Sequence, residues 1–176
     1  MKNIIVVTGG AGFVGSNLIS LLIKKTKYKI LSIDNYSSGK NKNHIKNKRI
    51  IYLKGDTKKI NKIIGKKKNS IRTIFHFGEF ARIFQSFLKM KECIESNSVG
   101  TNAVFNFCLN NNIKLIYSAT SASIGNNGND KNLSPYAFTK AKNLEMLENL
   151  KKWFNLKFEI IYFYNVYGPK QISKGN

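Results

Sequence analysis

The stretch that most constrains this chain is its start, Asn3 to Ser20, reading NIIVVTGGAGFVGSNLIS. Ile4 to Val7 is a short apolar run of the kind that forms a buried parallel strand. It stops at Thr8-Gly9-Gly10-Ala11-Gly12, and apolar residues then return at helical spacing with Phe13, Val14, Leu18 and Leu21 or Leu22. Strand, glycine turn and helix, in that order, make a cradle for a dinucleotide's diphosphate. Gly9, Gly12 and Gly15 divide the work: Gly9 permits the tight turn, Gly12 lets a pyrophosphate approach the backbone, and Gly15 lets the helix pack close to the strand. Free N–H groups at the helix start, and the positive end of its dipole, hold the anion.

The 176 residues suit one domain with a real core, and 42% apolar content is that of a globular protein. No apolar run approaches the roughly 18 residues needed to span a membrane. Ile4 opens a strand so early that no basic-then-apolar leader is expected. Cys93 and Cys108 fall in helix-like segments without metal-ligand spacing, and read as reduced core thiols of a cytoplasmic protein. The formal charge of +21 would suit a nucleic-acid or membrane-surface partner. Its lysines, however, are scattered through Lys24–Lys29, Lys40–Arg49, Lys58–Lys68 and Lys151-Lys152, at turns and helix ends with few interleaved aromatics. We read them as composition, with neither partner expected, though they attract an anionic nucleotide.

Lys29 to Asp34 alternates as a second strand and ends in an acid, about 20 positions past the glycines. An Asp34 there hydrogen-bonds the adenosine ribose and repels a 2′-phosphate, which favours NAD over NADP. Asn35 to Arg49 is a polar loop. Further strands are expected at Arg49–Leu53, Ile71–Phe77, Ile113–Tyr117 and Phe158–Phe163, and helices at Lys58–Ile64, Glu92–Asn110 and from near Tyr136 to Phe154. Strands alternating with helices predict a doubly wound parallel α/β sheet of the Rossmann type.

Tyr136 and Lys140 stand four apart on a predicted helix and share a face. A cation beside a phenol favours phenolate, so the pair suits general acid–base work. The preceding strand runs into small hydroxyl residues, Ser118 to Ser123, at the sheet edge where ligands bind. With TGGAGFVG at Thr8 to Gly15, Asp34, Gly55-Asp56, HFG at His76 to Gly78, Asn97, Gly100-Thr101, SATSASIG at Ser118 to Gly125, YAFTK at Tyr136 to Lys140 and NVYGP at Asn165 to Pro169, the chain resembles the extended short-chain dehydrogenase/reductase superfamily. Within it, the likeness is to the NAD-dependent nucleotide-sugar epimerases and dehydratases, of the UDP-glucose 4-epimerase type.

That resemblance implies NAD as cofactor, held by Gly9, Gly12, Phe13, Val14, Gly15, Asp34, Asn35, Asp56, Thr57, Phe77, Gly78, Asn97, Ser118, Tyr136, Lys140 and Phe163. It implies Thr120, Tyr136 and Lys140 as the catalytic set. Thr120 would bond the reacting sugar oxygen, Ser121 would line the same edge, and Lys140 would hold the nicotinamide ribose. Asn165 would touch the sugar nucleotide, and His76 would be structural. The chain departs from the pattern at Ile124, where a tyrosine is common, at Tyr162, where an arginine is common, and at Glu79, where relatives carry a small residue. Glu79 and Arg82 are therefore expected against the sugar.

In the family, dehydratases carry Asp-Glu after the catalytic hydroxyl and decarboxylases a Glu. Here Thr120 is followed by Ser121-Ala122. The resemblance then implies epimerisation of a nucleotide sugar, at C4 through a keto sugar. A nucleotide-sugar reductase or dehydratase, or an inactive NAD-binding fragment, are the alternatives. Residues 1–165 would be the NAD-binding domain and 166–176 the beginning of a truncated substrate domain. The family also implies a homodimer through the helices at Glu92–Asn110 and Tyr136–Phe154, where Phe105, Phe107, Met146, Leu147, Leu150 and Trp153 exceed what one buried face requires.

Overall fold

The computed structural model describes residues 2–171. Six parallel strands, β1 (Ile4–Thr8), β2 (Lys29–Asp34), β3 (Ile50–Lys54), β4 (Ile71–His76), β5 (Lys114–Thr120) and β6 (Phe158–Phe163), lie in the order β3-β2-β1-β4-β5-β6. The chain starts in the middle, winds outward through β3, then crosses back to β4 beside β1. That reversal leaves a crevice beyond the carboxyl ends of β1 and β4, where open α/β sheets bind ligands.

Central β1 is buried at every position, so it reads as a continuous apolar run. Ile4 and Val6 face one core, with Ile74, Leu115 and Tyr117 from the sheet. That core is closed by α2 (Ile60–Ile64), α5 (Thr101–Asn110) and α6 (Pro135–Phe154). Ile5 and Val7 face the opposite core, closed by Ile19 and Leu22 of α1 (Phe13–Lys25). Each fully buried aliphatic side chain stabilises by about 1.5–3 kcal/mol before chain entropy is subtracted.

Between β4 and α5 lie α3 (Ile83–Leu88), α4 (Met90–Ile94) and a π-helical stretch, Glu95–Gly100. The sequence shows one helix over Glu92–Asn110 and none at α3. The π-helical segment carries buried Asn97 and Gly100, and a Cβ on Gly100 would lie 2.5 Å from Thr57 Oγ1. β5 also runs on to Thr120, three residues past its expected end at Tyr117.

The apolar surplus on the long helices has a different cause from the one expected. Phe105, Phe107, Leu147 and Leu150 are all core, because α5 touches both α2 and α6 as well as the sheet. Only Met146 and Trp153 of that set reach the surface, at 36% and 61% exposure. No helix among the described residues is long and apolar enough to cross a membrane. Of the expected second-domain start, residues 172–176 lie outside the described residues.

Candidate active site

Because every strand is parallel, the predicted site residues gather at one edge. Gly9 follows β1, Asp34 ends β2, Asp56 and Thr57 follow β3, Phe77 and Gly78 follow β4, Thr120 ends β5, and Phe163 ends β6. Gly9 has φ +69°, and a Cβ there would meet Phe77 O at 2.5 Å. A Cβ on Gly15 would meet Gly9 O at 2.2 Å, so helix and turn touch backbone to backbone. Gly12 differs: its nearest neighbour would be a single atom, Gly9 O, at 3.2 Å. It stands at the start of α1, where no side chain caps the helix and the first turn carries no acid. The N–H groups of Phe13 and Val14 are left for a ligand. The residues thus fit a dinucleotide's diphosphate.

Asp34 is buried, and its carboxylate accepts N–H bonds from Ala11 (2.9 Å) and Tyr36 (2.8 Å). It ties the glycine turn to the end of β2 and keeps lone pairs for ribose hydroxyls. Beside it, Asn35 is exposed and its Nδ2 lies 3.4 Å from Asp56, whose other oxygen accepts from Lys58 N. Thr57 is buried under Gly100. Phe77 packs edge-on against Phe163 with ring centres 5.8 Å apart, covering the crevice floor.

On the other side of the switch, Thr120 is buried, and its Oγ1 accepts from Ala122 N at 3.3 Å. Tyr136 occupies the first turn of α6 and is half-buried. Ser134 caps that helix through Ala137 N (3.0 Å), and Pro135 has no N–H to satisfy. The Tyr136 N–H goes to Ser86 Oγ at 3.2 Å, from the α3 helix that the sequence did not reveal. Lys140, one turn on, is 4% exposed. Its ammonium reaches Glu79 and the Ser118 carbonyl, and lies 4.8 Å from the Tyr117 ring centre.

Three predicted residues sit differently from expectation. Glu79 does not face an open cleft: its side chain is 2% exposed and ion-paired to Lys140. Asn97 is 0% exposed; its Oδ1 accepts from Phe80 N (2.7 Å) and its Nδ2 donates to Phe80 O (3.0 Å) and Thr139 Oγ1 (3.2 Å). It fixes the loop after β4. Ser118 Oγ turns inward to donate to His76 O at 2.8 Å. Arg82 and Asn165 are exposed.

His76 is fully buried, and burial holds its imidazole down to about 4. Its hydrogen bonds have one consistent direction. Thr101 Oγ1 donates to Glu79 at 2.7 Å, so it accepts from His76 Nε2–H at 2.9 Å. His76 Nδ1 then accepts from Thr8 Oγ1 at 2.7 Å, leaving that oxygen to accept the N–H groups of Phe77 and Gly78. Neutral His76 therefore links the glycine turn to Glu79. The sequence placed His76 as structural, but gave no sign of this chain, since Thr8 and His76 are 68 residues apart.

A model of the NAD dependent epimerase/dehydratase family matches residues 5–176. ADP-L-glycero-D-manno-heptose-6-epimerase of Brachyspira hyodysenteriae is 32% identical over 190 aligned residues, covering 97% of this chain and 57% of that protein. dTDP-D-glucose 4,6-dehydratase of Dictyostelium discoideum is 30% identical, covering 95% and 44%. The solved UDP-N-acetylglucosamine 4-epimerase of Methanobrevibacter ruminantium superposes with a TM-score of 0.87 at 30% identity, covering 99% of this chain and 59% of that one. The chain thus spans about half to three-fifths of the length of these proteins. With its glycine turn, Asp34 and reversed sheet, it belongs to the NAD-dependent epimerase/dehydratase family.

Proposed function

We propose that this chain is the cofactor-binding part of a nucleotide-sugar epimerase acting at C4. The observation that supports the reading is that Thr120 ends β5 while Lys140, one turn past Tyr136 on α6, reaches the Ser118 carbonyl of the same strand, across the switch from the glycine turn. Thr120 is followed by Ser121 and Ala122, so that turn offers no carboxylate to remove water from a sugar.

The turn at Gly9–Gly15 and the N–H groups of Phe13 and Val14 would hold the diphosphate of NAD, and Asp34 the adenosine ribose. When bound, NAD supplies the reversible hydride chemistry. The phenolate form of Tyr136 takes the proton of the sugar hydroxyl, and the phenol so formed later returns it from the same position. Thr120 Oγ1 would orient that sugar oxygen, and Lys140 would meet the nicotinamide ribose. The reading includes a homodimer through Glu92–Asn110 and Tyr136–Phe154, supported by exposed Ile94 and Val99 at 42% and 53%.

Assay of the full-length protein against UDP-, ADP-, GDP- and dTDP-sugars tests the reading. C4 epimerisation of one of them is expected, and dehydration or net reduction instead would overturn it. Calorimetry should show NAD binding tighter than NADP; equal or better NADP binding would remove the role given to Asp34. Light scattering of a monomer at high concentration would remove the dimer.

A further inference from the structure

Glu79 takes no part in the reaction proposed above, yet it is built into the site more completely than any residue that does. It lies three residues after the last position of β4 and turns inward beneath the sheet edge. One carboxylate oxygen accepts from Thr101 Oγ1 (2.7 Å), Tyr117 OH (3.1 Å) and Asn143 Nδ2 (3.2 Å). The other accepts from the Lys140 ammonium. A buried carboxylate is tolerated only with this degree of pairing, and so is a buried ammonium.

An ammonium has three N–H groups. In Lys140 one goes to Glu79 and a second to the Ser118 carbonyl. Ser118 Oγ, at 3.4 Å, is a long third contact, and its own proton goes to His76 O. One donor is left for an incoming group. Lysine normally carries several rotatable bonds of freedom, which a ligand would have to freeze.

We propose that Glu79 is a positioning residue for Lys140: it seats the ammonium against β5 before any ligand arrives, leaving one N–H directed to a ribose hydroxyl. This rests on the reading of Lys140 as the lysine that meets the nicotinamide ribose. In this chain the lysine then works as half of a neutral pair, held in turn by the bonds that run from Thr8 through His76 and Thr101. Glu79 and Lys140 form the ion pair of this cluster. The groups facing them are His76 from β4, Cys93 from α4, Tyr117 from β5 and Tyr136 from α6. His76 is neutral, and burial raises both the Cys93 thiol and the Tyr117 phenol.

Lysine labelling with acetic anhydride, followed by peptide mass spectrometry, tests the seat in the ligand-free wild type. Lys140 should react at least about tenfold more slowly than Lys142, which is 55% exposed, because only local opening frees it. Equal rates overturn the proposal. Glu79→Gln tests the positioning. It keeps the shape but removes the negative charge, which disfavours the charged ammonium. NAD binding through that ammonium should then fail at lower pH, its alkaline limit moving down by about one unit or more. An unchanged limit in a folded variant overturns the positioning role, since a purely structural residue would alter stability alone. If Glu79→Gln does not fold, the wild-type labelling still decides. Failure of the wild type to bind NAD at any pH would overturn the reading of the pocket, while the labelling ratio still reports on the seat.

Discussion

The starts of α1 and α6 stand at the same sheet edge and are finished in opposite ways. Gly12 begins α1 with no side-chain cap, so its backbone donors stay open. Ser134 begins α6 with its hydroxyl on Ala137 N, Pro135 removes one donor, and Ser86 takes the next. An open helix start is an anion site, because partial positive charge has no internal partner. A sealed one is a fixed support, which suits a residue such as Tyr136 that must hold its place. The difference separates binding from chemistry at the two helix starts: substitutions at the start of α1 should act on NAD affinity, those in the first turn of α6 on turnover or stability.

The sharpest break of that contrast is Tyr136→Phe in the full-length protein. It removes the proton acceptor and keeps the ring, so turnover should fall by about 10² or more. NAD should still bind, as measured by calorimetry in parallel. Near-normal turnover would refute the assignment. At the other helix start, Gly12→Ala and Gly15→Ala should part company. Gly15→Ala forces a Cβ onto Gly9 O, backbone against backbone, and should cost roughly 3 kcal/mol in urea unfolding. Gly12→Ala brings a Cβ to 3.2 Å from the same oxygen, a milder crowding, so it should cost less stability than Gly15→Ala while NAD affinity drops. Equal loss of stability in the two variants would mean that Gly12 is packed as tightly as Gly15.

The α1 side was legible because its geometry is a local backbone matter. Gly9, Gly12 and Gly15 lie within one turn, and Asp34 ends the next strand. Tyr136 and Lys140 were legible by spacing for the same reason. What binds them was not. Glu79 meets Lys140 across 61 residues and Asn143 across 64. A glutamate beside a strand end carries no local sign of whether it turns inward. Asn97 misled similarly: it lies in the expected segment, but the π-helical stretch carries it inward to Phe80 and Thr139. The α3 helix was missed because Ile83, Phe84, Phe87 and Leu88 are exposed by 54–75% and mark no single face.

His76 offers a milder test, on the chain of bonds that joins the two sides. Its folded-state pKa of about 4 lies below the ordinary 6.5. Between those values the unfolded chain takes up a proton that the folded one refuses. Stability should therefore be full above about pH 6.5 and decline as pH falls toward about 4, by about 3 kcal/mol in all. Urea unfolding across that range measures it, with His76→Gln expected to lose that part of the slope. A wild type equally stable at both ends would show that the imidazole is not confined as the structure has it.

The smallest expected effect sharpens the comparison most. Ser134→Ala deletes the α6 cap and leaves Ala137 N–H without its side-chain partner. Loss of such a cap costs about 1 kcal/mol, far less than opening a core. Tyr136 keeps its N–H bond to Ser86, so the helix should fray without moving off the sheet. NAD affinity should be unchanged, because Ser134 is remote from the glycine turn in chain and in strand order. Adding Ser86→Ala should deepen the loss beyond the sum of the single changes, since both hydroxyls hold the same turn. Unfolding curves and NAD titrations on the same preparations decide the matter. If Ser134→Ala weakens NAD binding as much as Gly12→Ala does, the open and sealed helix starts are one coupled site, and the division between binding and chemistry fails.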